Sequence, residues 1–168
     1  MTSVETFATE RMAATRISES DFDDLFRLNQ DPEVAKTMAG TRSESETREF
    51  IRSSIEHWEH HGYGFWSFRD RVEGRFIGRA GLHNVEIDGA REIEIAYAVM
   101  PEFWRRGFAT EMARAILDIA AKLGIRNIVA FTLPTNLASR GVMEKAGFRY
   151  EREITWANLP HVLYRMKT

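Results

Sequence analysis

Apolar positions along the chain recur with two different periods. Recurrence every second residue argues for strands, and recurrence every three to four residues argues for helices. Arg11–Ile17 reads as a short strand. Ser20 then offers an N-cap, with Asp21, Asp23 and Asp24 in a first turn where the helix dipole favours carboxylates. Phe22, Leu25, Phe26 and Leu28 supply the apolar face of that helix. Ser43-Glu44-Ser45-Glu46 opens a second helix, whose buried stripe is Phe50, Ile51, Ile55 and Trp58 and whose stop is Gly62. Phe65–Arg69 and Arg75–His83 read as strands around the turn Asp70–Gly74. Asp88-Gly89 turns the chain into Glu92–Val99, where Ile93, Ile95, Tyr97 and Val99 share one face and Glu92, Glu94, Ala96 and Ala98 the other. Pro101 stops that strand. Gly107–Leu123 is the strongest helix: Phe108, Met112, Ala115, Ile116, Ile119 and Leu123 form its apolar face, Arg114, Asp118 and Lys122 its wet face, and Gly124 closes it.

Asn127–Leu133 is apolar almost throughout, as suits a strand covered on both faces. Strand, long helix and buried strand form a βαβ unit, so the two strands are expected to be parallel. A helix over Asn136–Lys145 closed by Gly147 follows. The chain ends in a hairpin of Phe148–Trp156 and Val162–Met166 around Asn158–Pro160. The sum is α/β, with a mixed sheet of about six or seven strands.

Composition narrows the partners. At about 150 residues per domain, 168 residues make one domain, 1–168. Lysine plus arginine is 23 and aspartate plus glutamate 25, so the net charge of −2 gives no bulk electrostatic reason to bind nucleic acid. The chain has no cysteine, which excludes disulfides, thiolate metal sites and a cysteine nucleophile; no metal site is expected. No apolar run approaches the ~18 residues of a membrane span, and Met1–Glu10 does not read as a signal peptide. The expected compartment is the cytoplasm.

The segment with chemistry in it runs from Val99 to Glu111. A helix begins with about four backbone N–H groups that lack partners, and Trp104–Gly107 contains none of the Ser, Thr, Asp or Asn side chains that usually cap them. Gly107 and Ala109 keep the backbone bare and Arg105 and Arg106 add charge, a combination suited to a pyrophosphate. The plainer alternative is a helix start satisfied by water. Neither a Walker A loop nor a Gly-x-Gly-x-x-Gly loop is present, so ATP and NAD are poor candidates.

Trp104-Arg105-Arg106-Gly107-Phe108-Ala109-Thr110-Glu111 resembles the acetyl-CoA-binding motif of the GNAT N-acetyltransferases, Gln/Arg-x-x-Gly-x-Gly/Ala. Gly107 and Ala109 match, and Trp104 stands at the Gln/Arg position, as in the branch that acetylates N-termini of ribosomal proteins at alanine or serine. Glu94-Ile95-Ala96-Tyr97 resembles that branch's Glu-Ile-Gly-Tyr strand. Asn136-Leu137-Ala138-Ser139 and Met143-Glu144-Lys145-Ala146-Gly147-Phe148 resemble its Asn-x-x-Ser and Glu-Lys-x-Gly-Phe segments. Gly62–Trp66 and Phe76–Leu82 are also similar, so the resemblance covers nearly the whole chain. It implies a GNAT fold with helices on both faces of the sheet and a splayed parallel strand pair. It implies acetyl-CoA as co-substrate, held by Arg105, Arg106, Gly107, Phe108, Ala109 and Thr110. The pantetheine arm would lie near Tyr97 and Val99 with Asn136 beside it.

Acetyl transfer to an amine needs a neutral amine, a thioester held next to it, and a proton for the leaving thiolate. Glu94 is the first candidate for the base, directly or through a water; Glu92 on the same face is the reserve and His83 a rival. Many family members place a Tyr where this chain has Met143, which cannot donate a proton. The ribosomal-type branch implies Ser139 as donor, with water the alternative. Phe22, Phe26, Trp58, Phe65, Trp66 and Trp156 read mainly as core, with an acceptor pocket as their other use. Glu86, Asp88, Glu92 and Glu94 make one hairpin acidic. The expected partner is an amine, small molecule or protein N-terminus, with the protein a monomer or homodimer. The rival reading is an acyl-CoA-binding sensor without turnover.

Overall fold

A computed structural model describes residues 3–167. Local chemistry sets most element boundaries. Asp31 starts a short helix, α2 (Pro32–Thr37), by accepting from the N–H groups of Glu33 and Val34. It ends α1 (Phe22–Gln30), so the Asp-Pro pair divides a region the apolar pattern had not resolved. Ser18, not Ser20, opens the turn before α1; the Asp21 carboxylate reaches back to the Ser18 N–H at 2.9 Å. In α3 (Glu44–His61) Ser43 and Glu46 form a reciprocal capping box, and Gly62 at φ +73° ends the helix.

The strands are β1 (Thr6–Ala8), β2 (Met12–Arg16), β3 (Phe65–Asp70), β4 (Phe76–Ile87), β5 (Ala90–Val99), β6 (Asn127–Thr132), β7 (Arg149–Trp156) and β8 (Leu159–Lys167). They form one eight-stranded sheet in the order β1-β2-β3-β4-β5-β6-β8-β7, rather than the six or seven strands expected. The additional strand is β1, whose three residues are too few to show an alternation. Tertiary packing holds it there: the Phe7 ring meets Trp66 edge-on at 5.3 Å, and the Trp66 indole N–H donates to the Val4 carbonyl. The last hairpin turns at Ala157 and Asn158, both at positive φ, one to two residues earlier than expected. Pro160 therefore sits inside β8, where it pairs only with Thr155 of β7 and costs the sheet no ladder bond toward β6.

Among the described residues only β5 and β6 run parallel, and their pairing is short: Ile93 with Ile128 and Glu94 with Val129. Beyond those two pairs β5 stays on β4 as far as Val99, while β6 stays on β8 as far as Thr132. The strands therefore separate, and their facing edges past Glu94 and Val129 have no ladder partner in each other. α4 (Phe108–Lys122) packs on β4 and β5, and α5 (Leu137–Ala146) on α4 and β6. Tyr97 reaches α5, whereas Arg79 reaches Phe50 of α3. Arg79 pairs with Ala98, so it and Tyr97 lie on opposite faces of the sheet. Helices thus cover both faces. The main core includes Trp66, Phe68, Leu82, Ile95, Met112 and Ile116, all 2 % exposed or less, and a smaller cluster of Ile87, Val129, Ile154 and Leu163 lies under the terminal hairpin.

Candidate active site

The loop between β5 and α4 is held from three sides. The Trp104 indole donates to the Val99 carbonyl at 2.7 Å, fixing the loop to the end of its strand and occupying one of the backbone acceptors expected to be open. Arg11 donates to the Arg106 carbonyl at 2.8 Å, lies 4.0 Å over the Phe108 ring, and pairs with Glu111 at 2.7 Å. Glu111 also accepts from the Thr9 hydroxyl and the Arg11 backbone, so the β1–β2 turn clasps the first turn of α4. Two residues of this loop are left-handed, Arg105 at φ +61° and Gly107 at φ +80°. Gly107 precedes the helix without any side-chain cap. A Cβ added to Gly107 would have only the far end of the Arg11 side chain within 4 Å, at 3.4 Å. The bare, uncapped helix start expected from the sequence is therefore present, and the loop's backbone suits an anion such as a pyrophosphate.

Arg105 and Arg106 are both exposed here. Phe108 is buried against Phe103 and can offer only backbone, whereas Ala109 and Thr110 are half-buried in the first turn. Arg105→Ala is expected to weaken acetyl-CoA binding about three- to fivefold, the size of an exposed ionic contact, and to flatten its salt dependence. Calorimetry at two salt concentrations checks this, and an unchanged salt slope would remove Arg105 from the phosphate contacts.

Where β5 and β6 part, a cleft of about 470 Å³ opens, with Glu94, Tyr97, Asn136, Ser139 and Met143 in its walls. Glu94 is 6 % exposed, and its Oε2 lies 2.5 Å from Nε2 of His83, the residue opposite it on β4. Base candidate and rival therefore form one pair, in which Glu94 lines the cleft and His83 does not. The reserve, Glu92, is held at both oxygens by Arg165, at 2.8 and 3.0 Å. The hydrogen bonds that Arg165 donates to Glu92 and Glu151 raise its pKa further. Asp88 pairs with Arg152, so the acidic hairpin is largely compensated.

On the other wall Asn136 caps α5 by accepting from the Ser139 N–H at 3.2 Å, and its amide donates to Thr132. The Tyr97 hydroxyl donates to the Ser139 carbonyl at 3.0 Å and lies 3.1 Å from the Ser139 Oγ. Burial, with a lesser push from Glu94, raises the Tyr97 pKa to about 12. The sequence places Tyr97 beside the pantetheine arm and gives no role to its phenol. The signal for its phenol was its place in the alternation, on the face that α5 covers. Met143 is 2 % exposed and packs as core at the position the resemblance marks for a tyrosine.

Of the six aromatic candidates for an acceptor pocket, only Trp156 lines the cleft, its ring tilted against Phe131 at 4.8 Å. Trp58, Phe65 and Trp66 are buried at 5 % exposure or less, and Phe22 and Phe26 stack on each other. The cleft instead contains two arginines to which the sequence analysis gives no role, Arg42 and, within the similar segment Phe76–Leu82, Arg79.

Residues 11–149 match the model of the acetyltransferase (GNAT) domain. The chain is 30% identical over 162 residues to the uncharacterized protein YkkB of Bacillus subtilis (strain 168), covering 95% of this chain and 94% of that one. Among solved structures, the acetyltransferase from Agrobacterium tumefaciens str. C58 superposes with a TM-score of 0.87 at 22% identity, covering 100% of this chain and 97% of that one. The ribosomal-protein-S5-alanine acetyltransferase from Vibrio fischeri superposes at 0.78 with 19% identity, covering 96% of each chain. Together with the splayed strands, the uncapped loop and the cleft between them, these likenesses mean that the chain belongs to the GNAT acetyltransferase family, whose members transfer an acetyl group from acetyl-CoA to an amine.

Proposed function

We propose that residues 1–168 work as a single acetyltransferase domain in which Glu94 takes the proton from the amine and Tyr97 and Ser139 receive the leaving sulfur. The observation that carries this reading is the buried Glu94 in the wall of the cleft, paired with a partly exposed His83 behind it. A sensor without turnover gives no reason for such a pair, so that reading is not favoured.

Acetyl-CoA supplies an activated thioester carbonyl. Arg105, Arg106 and the N–H groups from Gly107 to Thr110 would hold its phosphates. The edges of β5 and β6 beside Asn136 would hold its amide-bearing arm, as a strand adds to a sheet. An alkylammonium has a pKa of ~10 and no lone pair. Glu94 therefore receives its proton, and His83, partly exposed, offers the way out to water. As the new N–C bond forms, the C–S bond breaks and the sulfur leaves as a thiolate, and the second N–H proton passes to Glu94 once His83 has relayed the first to water.

A thiolate of pKa ~8.5 takes no proton outright from a phenol whose pKa burial raises to about 12. Tyr97 instead spends its proton on the Ser139 carbonyl, which frees the Ser139 O–H to donate toward the sulfur. That bond stabilises the leaving group, and water completes the protonation. Ser139→Ala is accordingly expected to lower kcat by about tenfold, one hydrogen bond to a charged group, and to leave acetyl-CoA binding unchanged within twofold. A loss of a thousandfold would make Ser139 a full acid and overturn this division of labour.

The acceptor class is a small amine or a protein N-terminus, and the working form is a monomer or homodimer. No helix among the described residues is long and apolar enough to cross a membrane, which accords with a cytoplasmic enzyme. The direct test is CoA thiol release from acetyl-CoA with a panel of small amines and N-terminal peptides, alongside calorimetry with acetyl-CoA. Binding with release supports the reading, and binding without release by any amine sinks it.

A further inference from the structure

The cleft at Glu94 does not end at the catalytic pair. A second cavity of about 550 Å³ lies beside it, under α3, and Met38, Arg42 and Arg79 line both. Arg79 is held rigidly at that junction. Its guanidinium lies 4.7 Å from the centre of the Phe50 ring and 5.3 Å from that of Phe65. Among the described residues no carboxylate comes within ion-pair distance of it. The acids that line the two cavities are engaged elsewhere: Glu94 with His83, Glu46 with the Ser43 backbone, and Glu49 with Arg52. Arg42 is fixed through backbone carbonyls of Met38, Gly40 and Thr41; Glu46 feels its charge, but among the described residues no carboxylate forms an ion pair with it.

Burial lowers the Arg79 pKa to about 10, and the nearby Glu94 only partly offsets this. The guanidinium is thus charged at neutral pH in a place that disfavours charge. A plain alkylammonium entering this cleft meets two arginines of its own sign. An acceptor that brings its own anion removes that repulsion and supplies the missing partner. A guanidinium presents a planar fork of donors that matches a carboxylate.

We propose that the acceptor is an amine carrying a carboxylate, with the amine at Glu94 and the carboxylate seated between Arg79 and Arg42. This rests on the acetyl-transfer reading above and narrows its substrate. The pairing of His83 with Glu94 and of Arg79 with Ala98 sets the two anchors four residues apart along β4 and β5, roughly 13 Å between backbone positions. The spacer between amine and acid is therefore selected by length.

The test compares ω-amino carboxylates, from glycine through β-alanine and γ-aminobutyrate to ε-aminocaproate, each with its own neutral amide. CoA release gives kcat/KM, and calorimetry on the CoA complex gives binding without turnover. The acid is expected to exceed its amide at least tenfold at the best spacer length. Arg79→Gln should bring that ratio close to one, and Arg79→Lys should restore part of it. Arg42→Gln should reduce the ratio too, which keeps the test open if Arg79→Gln fails to fold, as an acetyl-CoA titration would reveal. Equal turnover and equal binding of acid and amide would overturn the proposal, as would a ratio insensitive to both arginines. Preference for O-phosphoethanolamine over every acid would replace the carboxylate with a phosphate and also overturn it. A peptide amide with an aspartate near its N-terminus separates a protein source of the carboxylate from a small one. Acid-selective binding without any CoA release would sink the acetyl-transfer reading and leave the anion site standing.

Discussion

Glu94→Gln is expected to lower kcat by about 10²–10⁴-fold, the range for losing a positioned general base, equivalent to about 3–5 kcal/mol of barrier at 1.36 kcal/mol per decade. The amide is nearly isosteric and can still meet His83 Nε2, so the β4–β5 pair keeps its packing. Acetyl-CoA binding should change less than twofold, because the loop from Trp104 to Thr110 contacts neither residue. His83→Gln should cost less than Glu94→Gln, since His83 touches the carboxylate and does not line the cleft. Pre-steady-state acetyl transfer with a reactive amine measures the chemical step in each variant. A loss below about threefold in Glu94→Gln would remove Glu94 as the base and return the role to water.

Gly107→Val is expected to raise the acetyl-CoA dissociation constant by about 10²-fold. The residue sits at φ +80°, where a β-branched side chain costs of order 1–3 kcal/mol. The added Cβ would itself only touch Arg11, at 3.4 Å, whose guanidinium holds the Arg106 carbonyl and Glu111. Relief of that backbone strain turns the first N–H groups of α4 away from the direction in which they meet an anion. Losing one or two hydrogen bonds to a charged group costs about 1.5–3 kcal/mol each. Thermal unfolding should show a small loss of stability, and calorimetry the large loss of affinity. Affinity within threefold of the native protein would mean that this loop does not hold the cofactor. Gly107→Ala should fall between the two, because it carries the backbone strain with less bulk.

Elements with a strong period or a strong local signal were legible in the sequence. The period of α4, the Ser43–Glu46 capping box, the Gly62 and Gly147 stops and the Asp88-Gly89 turn all come from interactions within a few residues. The absence of a cap before Phe108 was equally local, so the anion-binding loop could be read from the chain alone. β1 and α2 were not. Three strand residues carry no usable period, and β1 exists because Phe7 and Val4 pack on Trp66, about sixty residues away in the chain. The Ser20 cap was displaced to Ser18 because Asp21 is shared between the Ser18 backbone and Arg69 of β3.

By itself the sequence determined the α/β order, the parallel pair and the bare loop between them, since spacing and residue type suffice for these. Only the tertiary structure decided the chemistry around that loop. It joined the rival candidates Glu94 and His83 into one pair, because β4 and β5 happen to be in that register. It withdrew Glu92, because β8 brings Arg165 against it. It gave the Tyr97 phenol to Ser139, and it left Arg79 in the cleft with no carboxylate among the described residues in ion-pair contact, Glu94 being taken by His83. Each of these depends on which strands become neighbours, and strand neighbours are set by packing over long stretches of chain rather than by any local pattern.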